Sequence, residues 1–296
     1  MAPDRHLSRL HDATLNTRLA KQRPGAHLST VINWISGLPT TAAMIIALCA
    51  GGTLSALGVL SAQRLLPQSV RTSHNEVAGY ILGIVGGIYS VLLAFIAVAA
   101  WQNFGQAERL VQTEANLVGD LYRDTIAFPE PAASRMRHYL FVYAIIVVQD
   151  EWPALAAGRV DEAAGWQLLD QVHSEVINLH AHEEGIAVMQ AEAVRTLNSL
   201  SDARRGRFDA ATANMPPILW WNLIGGAVIL MLFTYLFRTS HLLMHACMIS
   251  LLGAFIGLVL VMIVLLDNPF RGRSHVSVQP FSRLVVAVEA MAYPHR

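Results

Sequence analysis

The sequence predicts an all-α integral membrane protein with four transmembrane helices and a cytoplasmic helical bundle inserted between the second and third of them. Three observations predict this fold class. Long apolar runs without an ionised side chain in their interior occupy residues 40–62, 77–101, 218–237 and 242–266. A polar stretch, residues 102–217, separates the first two runs from the last two. Hydrophobic residues make up 54% of the chain, which is more than an ordinary soluble domain contains.

Each apolar run is long enough to cross a bilayer as a helix. About 20 residues, at about 1.5 Å per residue, span a hydrocarbon core of about 30 Å. Because lipid offers no hydrogen-bonding partner, the backbone inside these runs must satisfy its own donors and acceptors, and a helix does so. Residues 40–101 are therefore predicted to hold the first two spans, and residues 218–266 the last two.

The two ends of the chain are basic. Residues 1–39 form an N-terminal tail with a net charge of +3, and residues 267–296 form a C-terminal segment with a net charge of +2. The positive-inside rule places basic segments that flank spans in the cytoplasm. With four spans, both termini and residues 102–217 then lie on the same side. We expect a multi-pass protein of the plasma membrane, which is the inner membrane in a bacterium.

The polar stretch is predicted to be a cytoplasmic helical region, because its apolar residues recur at helical spacing and prolines separate the segments. Four helices are predicted: residues 104–128, which continue the second span without a breaker, then 131–152, 161–180 and 185–213. The second of these ends before Pro153. The apolar residues 139–148 are too few for a span and favour a core helix, with a fifth span as the alternative. Asp150 and Glu151 are interpreted as capping or solvated side chains.

Small residues form a stripe along the second span, and glycines also recur four apart in the fourth span. One interpretation is close helix packing, because missing side chains let two backbones approach. It applies to Gly79, Gly83, Gly86, Gly253 and Gly257. The other interpretation is that part of the second span lines a conduit, with small residues at its back and with Val91 and Phe95 projecting inward. Periodicity alone leaves both interpretations open.

The sequence lacks the motifs of soluble catalysis, such as a nucleophile triad, a P-loop or a dinucleotide fingerprint. The HAHEE segment, residues 180–184, does not have the spacing of a zinc-binding helix. Cys49 and Cys247 lie inside predicted spans and are interpreted as small packing residues. Asp267 is interpreted as an ion-pair partner of nearby arginines at the membrane interface. We therefore predict no enzymatic activity, no cofactor and no metal site.

At three places the chain resembles the bestrophin-like proteins, in particular their bacterial branch. LLAF, residues 92–95, runs on through AWQNFGQAERL and looks like the bestrophin pore helix. The segment from Tyr143 to Pro153, which ends in EWP, looks like the bacterial branch. DNPFRG, residues 267–272, is similar to the Pro-Phe-Gly that follows the last bestrophin span. The order of two spans, a helical part and two further spans also matches.

The resemblance implies an ion channel built around the second span as a homo-oligomer, which in bestrophins is a pentamer. Bestrophins have a hydrophobic neck of three residues spaced four apart. Alignment on the Phe of LLAF places that neck at Gly87, Val91 and Phe95, whereas an alignment shifted by one residue uses Ile88 and Leu92. The implied partners are the lipid bilayer, small inorganic ions with chloride as a candidate, and further copies of the chain. No nucleic acid is expected.

Three features depart from the bestrophin pattern. Gly87 stands where bestrophins have a bulky residue, so the outer end of the neck is expected to be wider. Only Asp267 and Glu289 supply carboxylates from the end of the last span onwards, so calcium gating is not expected. Residues 102–217 have a net charge of −7, which does not favour attracting anions into a cytoplasmic vestibule.

The function predicted from sequence is passive permeation of small ions through the hydrophobic neck of an oligomeric channel. The alternative is a non-conducting membrane scaffold or sensor whose cytoplasmic helices bind a partner protein. A membrane enzyme and a coupled transporter are less favoured, because the spans carry almost no polar or ionisable groups at membrane depth.

Overall fold

The computed structural model describes residues 34–35, 37–65, 75–179, 184–237, 241–273 and 275–292. Most of the predicted N-terminal tail and residues 180–183 of the HAHEE segment lie outside these ranges. The described residues contain no strand, so the all-α prediction is confirmed for them. The helices are, in chain order, α1 (Thr40–Leu65), α2 (Asn75–Asp124), α3 (Ala132–Ile146), α4 (Trp152–Ala156), α5 (Ala163–Ile177), α6 (Glu184–Thr212), α7 (Pro217–Tyr235), α8 (Leu242–Asp267) and α9 (Gln279–Ala292).

Five helical stretches in the described part of the chain are long and apolar enough to cross a membrane. They are Thr40–Leu65, Val77–Ala127, Ala132–Ala156, Pro217–Tyr235 and Leu242–Asp267. Four of them correspond to the apolar runs that were predicted to be spans, and only the run 218–237 extends beyond its helical stretch, by two residues. The additional stretch, Ala132–Ala156, contains the short apolar run 139–148 and is more buried inside the protein than the other four. So many apolar helices indicate a multi-pass membrane protein.

Glycines bring α1 and α8 into direct backbone contact. A Cβ atom added at Gly253 would overlap Ser55 Oγ and would lie 2.6 Å from the carbonyl oxygen of Gly51. One turn further along α8, a Cβ atom at Gly257 would lie 2.7 Å from the carbonyl oxygen of Ala47. Helices in lipid gain no hydrophobic free energy by meeting, so close van der Waals contact of this kind holds the pair together.

Helix α2 is unbroken over 50 residues, a length of about 75 Å at the helical rise. The predicted continuation of the second span beyond Trp101 is therefore confirmed. In its first half, Tyr89, Leu93 and Ile96 are buried in an apolar cluster shared with α7 and α8. In its second half, other apolar residues enter a separate core. Helix α2 thus connects the apolar helices α7 and α8 with the helices of the polar stretch, residues 102–217.

The second half of α2 shares an apolar core with α3, α5, α6 and α9. Its fully buried members include Val111, Leu121, Met136, Leu140, Val172, Val176, Ala193, Leu200 and Phe281. These residues recur at helical spacing along their own helices, so the pattern that predicts each helix also gives it one buried face. Helix α9, which no pattern above predicts, contributes Phe281 to this core.

The helix that contains α3 does not stop before Pro153, so that prediction is wrong. Helix α3 passes into a π-helical turn, Val147–Glu151, and this turn passes directly into α4. Pro153 occupies the first turn of α4.

Replacing Gly253 with alanine is expected to loosen the α1–α8 pair, because the added methyl group overlaps Ser55. Overpacking of this kind costs about 1–3 kcal/mol. We expect a lower Tm for the purified Gly253→Ala protein in detergent. Gly225→Ala in α7 is the matched control, since its Cβ would meet no atom of the described residues within 4 Å, and it should not lower the Tm. Equal Tm values for the two variants would contradict this account of the contact.

Candidate functional site

One face of α2 has no partner among the described residues of the protomer. Val91 and Phe95 are 56% and 72% exposed, although both lie in an apolar stretch. They belong to a set of exposed apolar side chains that recur every three or four residues along the helix: Ile84, Ile88, Val91, Phe95 and Val98. Gly87 lies beside this set and is also exposed. We call this the open face of α2, and it includes all three residues of the predicted neck.

The open face continues beyond the apolar stretch with polar side chains. At intervals of seven residues, about two helical turns, Phe95 is followed by the exposed Gln102, Arg109, Asn116 and Arg123. The opposite side of α2 is fixed by packing and by a hydrogen bond from the Tyr89 hydroxyl to the carbonyl oxygen of Leu223, at 3.1 Å. The open face is thus apolar in the first half of α2 and polar in the second.

A second feature is a group of buried charges that joins α2 to α6. Arg207 donates through Nε to Glu114 Oε2 at 2.6 Å and through Nη2 to Glu114 Oε1 at 3.0 Å. The same Nη2 donates to Glu151 Oε2 at 2.6 Å. Arg204 donates to both carboxylate oxygens of Glu151, at 2.6 and 3.1 Å. The Tyr143 hydroxyl donates to Glu114 Oε1 at 2.5 Å and accepts from Arg204 Nη1 at 3.1 Å.

These five residues form the buried charge network, and each is at most 2% exposed. Two carboxylates balance two guanidinium groups, so no unpaired charge is taken out of water. The Arg204 guanidinium carbon also lies between 5.0 and 5.2 Å from the ring centroids of Tyr143, Trp166 and Phe208. A Cβ atom at Gly165 would overlap Arg204 Nη2, so the absence of a side chain there leaves room for the network.

The network keeps its arginines charged. Burial lowers the pKa of Arg207, but Glu114, Tyr143 and Glu151 together raise it by more, and the pKa therefore lies above its usual value. The pKa of Arg204 is likewise lowered by burial and raised by more through Tyr143 and Glu151. Charged guanidinium groups can then hold Glu114 on α2 and Glu151 on the π-helical turn in fixed positions.

A sequence profile of the bestrophin-like domain matches residues 52–281 of this chain. The chain belongs to the bestrophin-like family. The matched range contains the open face of α2 and the buried charge network. No curated protein matches the chain.

Several solved structures share the fold of this bestrophin-like chain. A mutant of a bacterial bestrophin homologue from Klebsiella pneumoniae has a TM-score of 0.58 and 15% identity, and the match covers 84% of this chain and 98% of that one. A second mutant of this Klebsiella homologue has a TM-score of 0.57 and 18% identity, with coverage of 84% and 98%. A crystal structure described as a membrane protein has a TM-score of 0.59 and 14% identity, with coverage of 86% and 99%.

The packing glycines predicted for this bestrophin-like chain lie in different surroundings. Gly253 and Gly257 lie in the contact between α1 and α8. Gly86 is half-buried, and a Cβ atom there would lie 3.6 Å from Leu230 Cδ1. Gly79 and Gly83 are exposed, and a Cβ atom at Gly83 would meet no atom of the described residues within 4 Å.

Sequence reasoning missed the buried charge network of the bestrophin-like fold. Glu151 was interpreted above as solvated or capping, which is wrong, because it is buried and paired with two arginines. The α6 sequence does carry a signal. Arg204 and Arg207 follow the core residue Leu200 by four and seven positions, so both arginines fall on the buried face of α6. Glu114 falls on the buried face of α2 in the same way.

Asp267 forms no ion pair with a described arginine, so the expected pairing with Arg271 or Arg273 is wrong. The buried Asp267 carboxylate accepts the backbone N–H of Met215 at 2.9 Å and so links the end of α8 to the segment before α7. The DNPF segment turns the chain immediately afterwards. Phe270 is then buried against Trp152, with 5.6 Å between ring centroids, which ties this turn to α4.

Replacing Arg207 with methionine is expected to destabilise the protein strongly, because it leaves Glu114 and Glu151 buried with fewer partners. Breaking a buried pair on one side costs about 3–5 kcal/mol. Arg205→Met is the control, since Arg205 pairs with Asp202 at 2.8 Å on the exposed side of the same helix, and a surface pair contributes about 0–1 kcal/mol. Thermal unfolding of the purified proteins in detergent measures both effects. Similar Tm values for the two variants would show that the network does not hold α2 to α6.

Proposed function

We propose that several copies of this chain assemble around α2 into an ion channel that conducts small ions passively. The observation that carries this proposal is the open face of α2. It leaves apolar side chains as large as Phe95 without a partner in the described part of the protomer and continues as a polar face over the second half of the helix. Membership of the bestrophin-like family supports the same assignment. The function is permeation and involves no enzymatic step.

The proposed topology has four spans, formed by α1, the first half of α2, α7 and α8. The stretch Ala132–Ala156 belongs to the cytoplasmic bundle in this proposal. Two contacts support its placement there: Tyr143 and Glu151 enter the buried charge network with α6, and Arg135 pairs with Glu175 of α5 at 2.7 Å. A span in lipid could not have the charged helices α5 and α6 as neighbours without burying further charges. Both termini then lie with the bundle in the cytoplasm.

The proposed neck consists of Val91 and Phe95, with Gly87 at its wider outer end. A narrow ring of apolar side chains controls conduction by excluding water until it widens. The exposure of the side chains supports this register over the one shifted by one residue. In the shifted register Ile88 is exposed, but Leu92 is half-buried in the cluster with α7 and α8 and is less available to a pore.

Assembly of several copies is part of the proposal, because the four spans of one chain have too little perimeter to enclose a water path. A pentamer follows from the family resemblance. A Cβ atom at Gly83 would meet no atom of the described residues within 4 Å, whereas one at Gly79 would lie 3.9 Å from Phe237 Cε1. We propose that both exposed glycines pack against a neighbouring copy. Gly86, Gly253 and Gly257 are proposed to serve packing within the protomer.

Phe95→Ala is expected to enlarge the ionic current of purified protein in a planar bilayer under a KCl gradient, because it removes the largest side chain of the proposed neck. Phe255→Ala is the matched control, since Phe255 is an apolar-helix phenylalanine on α8 that is 62% exposed. It should leave the current unchanged. Serine at both Val91 and Phe95 should raise the current further by making the neck easier to wet.

Silent bilayers for the wild type and all variants, with insertion confirmed, would overturn the channel. The sequence-based alternative, a scaffold or sensor that binds a partner protein, would then be favoured. Equal currents for Phe95→Ala and Phe255→Ala would keep the channel but move its neck elsewhere.

A further inference from the structure

A groove lined mainly by apolar side chains lies between α1, α7 and α8, and its volume is about 620 Å³. Small residues form part of its floor, and larger, exposed side chains form its two walls. The floor includes Ala47, Gly51, Gly253 and Gly257, and the walls include Leu54 of α1 and Leu232 of α7. We call this the α1–α7 groove. The glycines that let α1 and α8 meet thus also keep part of its floor free of side chains.

The α1–α7 groove is closed at one end and open at the other. At the closed end α1 and α7 are in contact, and a Cβ atom at Gly58 would overlap the ring of Tyr235, which lines the groove. The lining residues at the other end precede α1 and are Trp34, Ile35 and Leu38. The Trp34 side chain is 58% exposed, so this end opens to the surroundings of the protein.

The length and chemistry of the groove favour a long apolar occupant. Its α1 residues run from Ala43 to Ser55, about 18 Å along the helix axis. Among the described residues, no charged side chain lines it. The Ser55 hydroxyl is already bonded, since it donates to the carbonyl oxygen of Gly51 at 2.7 Å. An apolar cavity of this kind stays free of water but can bind apolar molecules.

The position of the groove decides which apolar molecule reaches it. It runs along three of the helices that are long and apolar enough to cross a membrane. Beyond its walls the surface continues with exposed apolar side chains, such as Leu57 on α1 and Ile229 on α7. The groove is therefore continuous with the surface that these helices present to lipid. Its length is close to the hydrocarbon thickness of one leaflet, about 15 Å.

We propose that the α1–α7 groove binds one acyl chain of a membrane phospholipid. The headgroup would lie beside Trp34, because tryptophan is favoured at the membrane–water interface. In the proposed topology this end of the groove belongs to the cytoplasmic leaflet. The acyl chain would give the floor and walls van der Waals contacts that an empty groove lacks. No residue of α2 lines the groove, so the lipid would lie outside the proposed ion path.

The test compares the wild type with Ala50→Phe after purification in mild detergent, and native mass spectrometry counts the retained phospholipids. Ala50 is exposed and lines the groove, so a phenylalanine there takes the space of the acyl chain. We expect Ala50→Phe to retain one phospholipid per protomer fewer than the wild type. Cys49→Phe is the matched control, because Cys49 is the neighbouring residue on α1, is exposed and does not line the groove. It should retain as many as the wild type.

A second variant and a second measurement test the same site. Val228 is an exposed groove residue on α7, so Val228→Phe fills the groove from the opposite wall and should also lose the lipid. Palmitoyl-oleoyl phosphatidylglycerol added to delipidated protein should raise the Tm of the wild type and of Cys49→Phe, because a ligand that binds the folded state stabilises it. The rise should be smaller in both groove variants.

The outcomes separate a bound lipid from other occupants of the groove. Equal lipid retention by the wild type and the two groove variants would overturn the proposal, and so would an equal loss in Cys49→Phe. A smaller assembly in Ala50→Phe with unchanged lipid would also overturn it, because a second copy of the chain would then fill the groove. None of these results depends on an ionic current, so failure of this inference would leave the proposed channel standing.

Discussion

Arg207 donates hydrogen bonds to both Glu114 and Glu151. The position of the long apolar helices relative to the polar helices of residues 102–217 depends on this interaction. Glu114 lies in the second half of α2, whose first half packs against the apolar helices α7 and α8. Arg207 lies on α6, among the polar helices. The pairing fixes the rotation of α2 about its axis, because Glu114 must face α6 for both carboxylate oxygens to be bonded. Once that rotation is fixed, the opposite side of α2 is left without a partner among the described residues from Ile84 to Arg123.

Two different kinds of packing support the two halves. Among the apolar helices, α1 and α8 meet through Gly51, Gly253 and Gly257, where the lack of side chains allows backbone contact. In the polar half, apolar side chains leave water and form a common core around the buried charges. The charges add little net stability over an apolar core of equal volume, but a wrong arrangement would leave them unpaired. They therefore favour one arrangement of α2, α3 and α6 over others.

The open face of α2 changes along the helix from apolar side chains to polar ones. Its first half offers bulky apolar side chains, and its second half offers amides and arginines on the same side of the helix. A water path along such a helix would pass from a constriction that resists wetting into a polar region that attracts ions.

The sequence by itself determined the all-α class, the positions of the apolar helices and the continuation of α2 beyond Trp101, because hydropathy, run length and helical spacing are local properties. It also located the candidate neck residues, through spacing and family resemblance. Only the tertiary structure decided that Glu151 is buried, that Asp267 bonds the Met215 backbone, and that the helix continues through Pro153. These outcomes depend on contacts between residues distant in sequence or on the register of a π-helical turn. For the same reason the net charge of residues 102–217 could not reveal which charges face the open side of α2.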